Sequence, residues 1–99
     1  MIINKVREND SIILAVSGEL TAMTAGQLSD TIKKAIEETS SLVLDLKDLE
    51  YVASAGLRVI LDTKKMLDAK KGEFIVRNAR EAVMNVFDIT GFTDILILQ

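Results

Sequence analysis

The sequence predicts an α/β fold: one domain over residues 1–99, with a four- to five-stranded mixed sheet and about three helices mainly on one face, in the order ββαβαβαβ. Three observations predict it. Short apolar runs rich in Ile, Val and Leu alternate with segments whose apolar residues recur at helical spacing. The alternation begins only after the second run, so the second half needs right-handed crossovers and a largely parallel sheet, while the first two strands suit a hairpin. The chain has 99 residues, a length that fits one domain and not two. Three helices are too few to cover both faces of such a sheet.

Residues 2–7 read as a short strand suited to an edge, and Glu8-Asn9-Asp10 as a polar turn. Ser11–Ser17 is the second strand. Its run from Ile12 to Val16 is apolar at every position, the pattern of a strand buried on both faces. Gly18–Thr21 is a connection. Thr24-Ala25-Gly26-Gln27 has the spacing of a capping box, a hydroxyl followed three residues later by an amide. Ala25, Leu28, Ile32, Ala35 and Ile36 then fall on one helical face, with Lys33, Lys34, Glu37 and Glu38 elsewhere. Glu37 and Glu38 oppose the helix dipole at its C-terminus, so packing must outweigh them.

Leu42–Leu46 is the third strand, followed by a loop. A second helix runs from Ser54 to about Ala69, with Leu57, Ile60, Leu61, Lys64 and Leu67 at helical spacing, and Lys71-Gly72 stops it. Glu73–Arg77 is the fourth strand. A third helix covers about Ala79 to Asp88 with Val83, Val86 and Phe87 inward, and Thr90-Gly91 ends it. Asp94–Leu98 is a last strand. No proline interrupts any element.

Composition removes several function classes. There is no Cys, hence no disulfide or thiolate metal site, and no His, the commonest general base and metal ligand. A nucleophilic serine would lack its usual base, so the sequence reads as a non-enzyme. Asp45, Asp48, Glu50 and Asp62 match no calcium-loop spacing, and the five glycines form no phosphate-binding loop, so neither metal nor cofactor is expected. The net charge of −3 without long basic runs argues against nucleic acid. No apolar run reaches ~18 residues and the N-terminus lacks a signal-peptide core, so a cytoplasmic location is expected, with no membrane partner.

The segment that carries chemistry is Ala53–Arg58. An apolar strand leads to Ser54-Ala55-Gly56 at the start of a helix, where free backbone N–H groups and the helix dipole favour an anion such as a phosphate. Ser54 also reads as a helix cap, worth about 1 kcal/mol, and the two roles are not exclusive. Gly56 allows close approach of another group at the helix start. Thr21, Met23 and Thr24 follow the second strand and reach the same sheet edge, where sites of parallel sheets gather, although Thr24 also suits a plain cap. Arg58, one turn into the helix, serves either an interface or solubility.

These residues resemble the STAS domain of bacterial anti-sigma factor antagonists. Val16-Ser17-Gly18-Glu19-Leu20 is similar to the family's V-x-G-E-L segment. Leu44-Asp45-Leu46 with Leu49-Glu50-Tyr51-Val52 is similar to its D-L-x-x-L-x-Y-I segment. Ser54-Ala55-Gly56-Leu57-Arg58-Val59-Ile60-Leu61 is similar to its S-x-G-L-x-x-L-L helix start, and Gly91-Phe92 to a G-[LF] pair near its end. The resemblance covers essentially the whole chain. It implies a partner switch: the unphosphorylated protein binds an anti-sigma factor that is also a serine kinase, phosphorylation at the start of the second helix breaks the complex, and a serine phosphatase reverses it. It implies Ser54 as phosphoacceptor and Thr21, Met23, Thr24, Ala53, Ser54, Ala55, Gly56, Leu57 and Arg58 as the partner-binding surface. Against the common D-S-[ST]-G-L pattern, Ala53 replaces the Asp and Ala55 stands at the usual acceptor position; Thr21 stands where Asp often follows G-E-L. The alternatives are an unphosphorylated STAS scaffold in another complex, or a small-ligand-binding module.

Overall fold

A computed structural model describes residues 1–99. The elements follow in the order β1 (Ile2–Glu8), β2 (Ser11–Leu20), α1 (Ala25–Glu38), β3 (Ser41–Val52), α2 (Ser54–Ala69), β4 (Glu73–Arg77), α3 (Glu81–Thr90), a 3-10 turn (Phe92–Asp94) and β5 (Ile97–Leu98). The five strands lie in the sheet in sequence order. β1 and β2 form the antiparallel hairpin; β2–β3, β3–β4 and β4–β5 are parallel. Each parallel step moves one strand in the same direction, and right-handed crossovers then put all three helices on one face.

The core lies between that face and the helices. Ile12, Leu14 and Val16 of β2, Leu42, Leu44 and Leu46 of β3, and Phe74 and Val76 of β4 alternate toward it. Leu28, Ile32 and Ala35 of α1, Ile60 and Leu67 of α2, and Val83 and Phe87 of α3 close it from above. The five apolar positions read for α1 are all buried, and Ile13 is buried on the other face of β2, as an all-apolar strand requires.

Several boundaries differ from the sequence reading. β2 continues through Gly18–Leu20, and β3 continues from Lys47 to Val52 where polar residues suggest a loop. The two extensions pair with each other across register shifts, and Gly18, at φ +100°, accommodates the irregularity. Tertiary pairing overrides a polar composition here. In α2 the buried positions are Gly56, Ile60, Thr63 and Leu67, so the inward face is rotated from the Leu57/Leu61/Lys64 reading. The Thr63 hydroxyl satisfies itself on the Val59 carbonyl at 2.7 Å. α3 starts and ends two residues later than the spacing suggests, and Val86 is only half-buried. Gly91 ends it in the left-handed conformation (φ 80°), which turns Phe92 back to stack on Phe87 with centroids 6.1 Å apart. The last strand shrinks to Ile97–Leu98 because the 3-10 turn uses the residues before it.

Candidate functional site

Ala53 alone connects β3 to α2, and its N–H donates to the Leu20 carbonyl at 2.8 Å. That bond fixes the start of α2 beside the end of β2, so the Thr21–Thr24 turn and Ala53–Arg58 share the C-terminal edge of the parallel strands.

Gly56 sets how closely α2 sits on the sheet. A Cβ there would stand 2.4 Å from Leu20 Cγ and 3.0 Å from Val52 Cγ2, inside van der Waals contact. Leu20 and Val52 are both buried, so neither has room to yield. The isolated glycine is therefore a seat for the helix. Its two seating residues are not legible in the S-x-G spacing, because they come from other strands.

Ser54 is not a cap. Ala53 occupies the N-cap position in extended backbone, and Ser54 is the first helical residue. Its side chain is exposed and caps nothing. The Ala53 carbonyl takes the Gly56 and Leu57 N–H groups at 2.9 and 3.1 Å, and no acidic residue lies in the first turn. The Ser54 and Ala55 N–H groups are thus left without a backbone acceptor at the positive end of the helix dipole, with no acid in the first turn. Ala55 is half-buried and packs on the core.

The capping box at Thr24 is also corrected. Thr24 is the N-cap residue but its hydroxyl makes no cap bond. It donates to the Glu19 carbonyl at 2.8 Å and accepts the Thr21 N–H at 2.9 Å. Gln27 reaches instead toward the Met1 carbonyl at 3.4 Å. The Thr21 hydroxyl accepts the Met23 N–H at 3.2 Å, and the Thr21 carbonyl takes Thr24 and Ala25 N–H. The turn is held from within, and it presents Met23 at 94% exposure. Of the Thr21, Thr24 and Ser54 hydroxyls, that of Ser54 is the one not engaged in holding the backbone. Leu57 is half-buried, and Arg58 is exposed and forms an i,i+4 pair with Asp62 at 3.4 Å.

Tyr51 also belongs to this edge, half exposed on the strand that leads to Ser54 and opposite Glu19 in the register. Its place in a polar stretch hid it as loop. The alternation against buried Val52 is the signal that turns it outward.

Below the edge, Asp45 ties β3 to the end of β4. Its carboxylate accepts from Arg77 Nε at 3.2 Å, Asn78 Nδ2 at 3.3 Å and the Lys47 N–H at 3.1 Å. Burial pushes the carboxyl upward, but these donors outweigh it and hold the group below its usual range. No cluster of acidic side chains is arranged to hold a metal ion. No helix is long and apolar enough to cross a membrane.

The match to the STAS domain family model spans residues 3–99. The chain belongs to the STAS domain family. A relative described as the anti-sigma-B factor antagonist of Bacillus subtilis (strain 168) is 35% identical over 92 residues, covering 93% of this chain and 84% of that one. Among solved STAS structures, a putative anti-sigma factor antagonist from Thermotoga maritima superposes with a TM-score of 0.92 at 22% identity, covering 97% of this chain and 84% of that one. The Bacillus cell fate determinant SpoIIAA in its phosphorylated form superposes at 0.78 and 19% identity, covering 99% and 91%. These likenesses fix the STAS fold, with its three helices and five-stranded mixed sheet. The relatives are named for antagonism of another protein, a regulatory binding role rather than catalysis.

Proposed function

We propose that this STAS domain is an anti-sigma factor antagonist that works by partner switching. It binds an anti-sigma factor that is also a serine kinase, through the edge formed by Thr21, Met23, Thr24 and Ala53–Arg58. Phosphorylation of Ser54 ends that binding, and a serine phosphatase restores it. The observation that carries the reading is Ser54: an exposed, unengaged hydroxyl at the N-terminus of a helix seated rigidly on the sheet by Gly56.

The physics of such a switch is local. A phosphate adds about −1.5 to −2 charges. The α2 N-terminus accommodates them without unfolding, because the Ser54 and Ala55 N–H groups have no backbone acceptor and its first turn holds no acid. A partner closing over Met23 and Leu57 would have to desolvate those charges, and the complex weakens. The half-buried Ala55 has no hydroxyl, which leaves Ser54 as the acceptor.

The absent hydroxyl at Ala55 also supports a second reading, a constitutive STAS scaffold whose binding is insensitive to ATP. Incubation with the cognate kinase and ATP, followed by mass spectrometry, separates the two. The switch predicts one added phosphate on Ser54 and release of the partner; an unmodified chain that stays bound establishes the scaffold.

A further inference from the structure

We propose that the helix-free face of the sheet docks a second copy of this chain, about a two-fold axis lying along an apolar row that crosses all five strands. The register places Val6 beside Ile13, Ile13 beside Val43, Val43 beside Ile75 and Ile75 beside Ile97. The helix-side neighbours of Ile13, Val43, Ile75 and Ile97 join the core, and Lys5 and Arg7 beside Val6 reach Glu38 of α1, so by alternation these five point the other way. The helices lie on the opposite face, but at the centre of the row Ile13 and Val43 are already closed in by their neighbours, at 6% and 8% exposure. The flanks of the row are open, with Val6 at 51% and Ile97 at 49% exposure.

The polar residues on either side of the row select the occupant. One pleat toward the strand C-termini, the face carries Asn4, Ala15, Asp45 and Arg77; one pleat the other way, it carries Glu8, Ser11, Ser41 and Glu73. A two-fold along the row reverses strand direction, so each row residue meets its own mate. Arg77 then meets the mate's Glu73, Asn4 its Glu8, and Asp45 its Ser41: a cation on a carboxylate, an amide on a carboxylate, a carboxylate on a hydroxyl. A two-fold along the strands would instead set Asp45 against Asp45, a like-charge contact. Arg77 keeps Nε on Asp45 at 3.2 Å, and its side chain is 36% exposed, which leaves its remaining guanidinium donors for the mate.

The patch is about 24 Å across the strands and about 17 Å along them. That gives at most roughly 400 Å² per copy, under half of a standard interface because Ile13 and Val43 are already buried, so the association is weak and concentration-dependent. The row crosses mid-strand and leaves the Ser54 edge open in both copies. The inference therefore stands independently of the partner proposed for that edge.

Sedimentation equilibrium of the full chain from about 10 μM to about 1 mM tests it, the range expected for a patch of this size. The mass should climb toward twice that of the monomer. Glu73→Lys and Ile97→Lys should each move the association at least about tenfold higher in concentration, with the thermal midpoint unchanged. The chain has no cysteine, so single variants are clean probes. Oxidised Ile75→Cys should form a disulfide dimer with its own mate, and Lys33→Cys on the helical side should not. A monomer at the highest concentration overturns the proposal. So does association unaffected by Glu73→Lys and Ile97→Lys, which would indicate pairing of the exposed β1 edge instead.

Discussion

Two residues in the first turn of α2 carry opposite loads. Ser54 is exposed and bonded to nothing, so Ser54→Ala should change stability by less than about 0.5 kcal/mol, where loss of a true cap would cost about 1. Chemical denaturation of the two forms measures it. In binding, Ser54→Glu should weaken the partner complex at least about tenfold while Ser54→Ala preserves it, read by titration calorimetry; equal affinity of all three forms would remove the switch. Gly56 is the reverse case. Gly56→Ala gains about 1 kcal/mol of helix propensity but drives a methyl into Leu20 and Val52, an overpacking cost of about 1–3 kcal/mol. The clash wins, and the thermal midpoint should fall by several degrees. A midpoint that rises would show that α2 is not seated there. The two readings of Ser54 open in the sequence were cap and anion site; the structure removed the cap, because Ala53 stands one residue earlier in the extended conformation.

At the scale of elements, the Thr21–Thr24 turn is a small unit with its own hydrogen bonds. Thr24→Val keeps the shape but removes the hydroxyl that bridges Glu19 and Thr21. The cost should be about 1 kcal/mol, because water reaches part of this turn. Amide exchange at Thr21 and Met23 should quicken while that of β3 does not; uniform quickening would mean that the turn has no separate stability. The capping-box spacing is genuine in the sequence, yet the hydroxyl serves the turn rather than α1. The reach of β3 is the other lesson at this scale. Leu42–Leu46 announces the strand by composition, whereas Lys47–Val52 is a strand only because the end of β2 pairs with it. The α1 face was fully legible, since a helix that packs on one side prints its burial at 3.6-residue spacing.

For the whole molecule, the acid limb of stability should report Asp45. Its folded pKa lies below the ordinary unfolded value of about 3.9. The group therefore contributes stability above that value and loses it as pH falls through the folded pKa. Asp45→Asn should be less stable at pH 7 and should lose less on acidification, so the two melting curves converge at low pH. Parallel curves would show that Asp45 ties nothing together. Glu38 is lowered in the same direction, chiefly by its hydrogen bond from Lys5 and further by Arg7, but it is exposed and contributes little. The parallel pairing and the single helical layer follow from the strand–helix alternation, the order of strands in the sheet was set by the fold, and the resemblance to STAS domains needed only short motifs in the right order.

By itself the sequence determined the order and type of the strands and helices, the buried face of α1, the glycine stop of α3 and the location of the Ser54 edge. Each of these is written within a few neighbouring residues, where periodicity and turn chemistry act. The tertiary structure alone decided that Leu20 and Val52 seat Gly56, that Thr24 bonds to Glu19, that Thr63 enters the core, and that five apolar side chains from five strands line up on the open face. Those outcomes depend on which distant residues meet. A polar group or a methyl chooses its partner by distance in space, and only the folded register sets that distance.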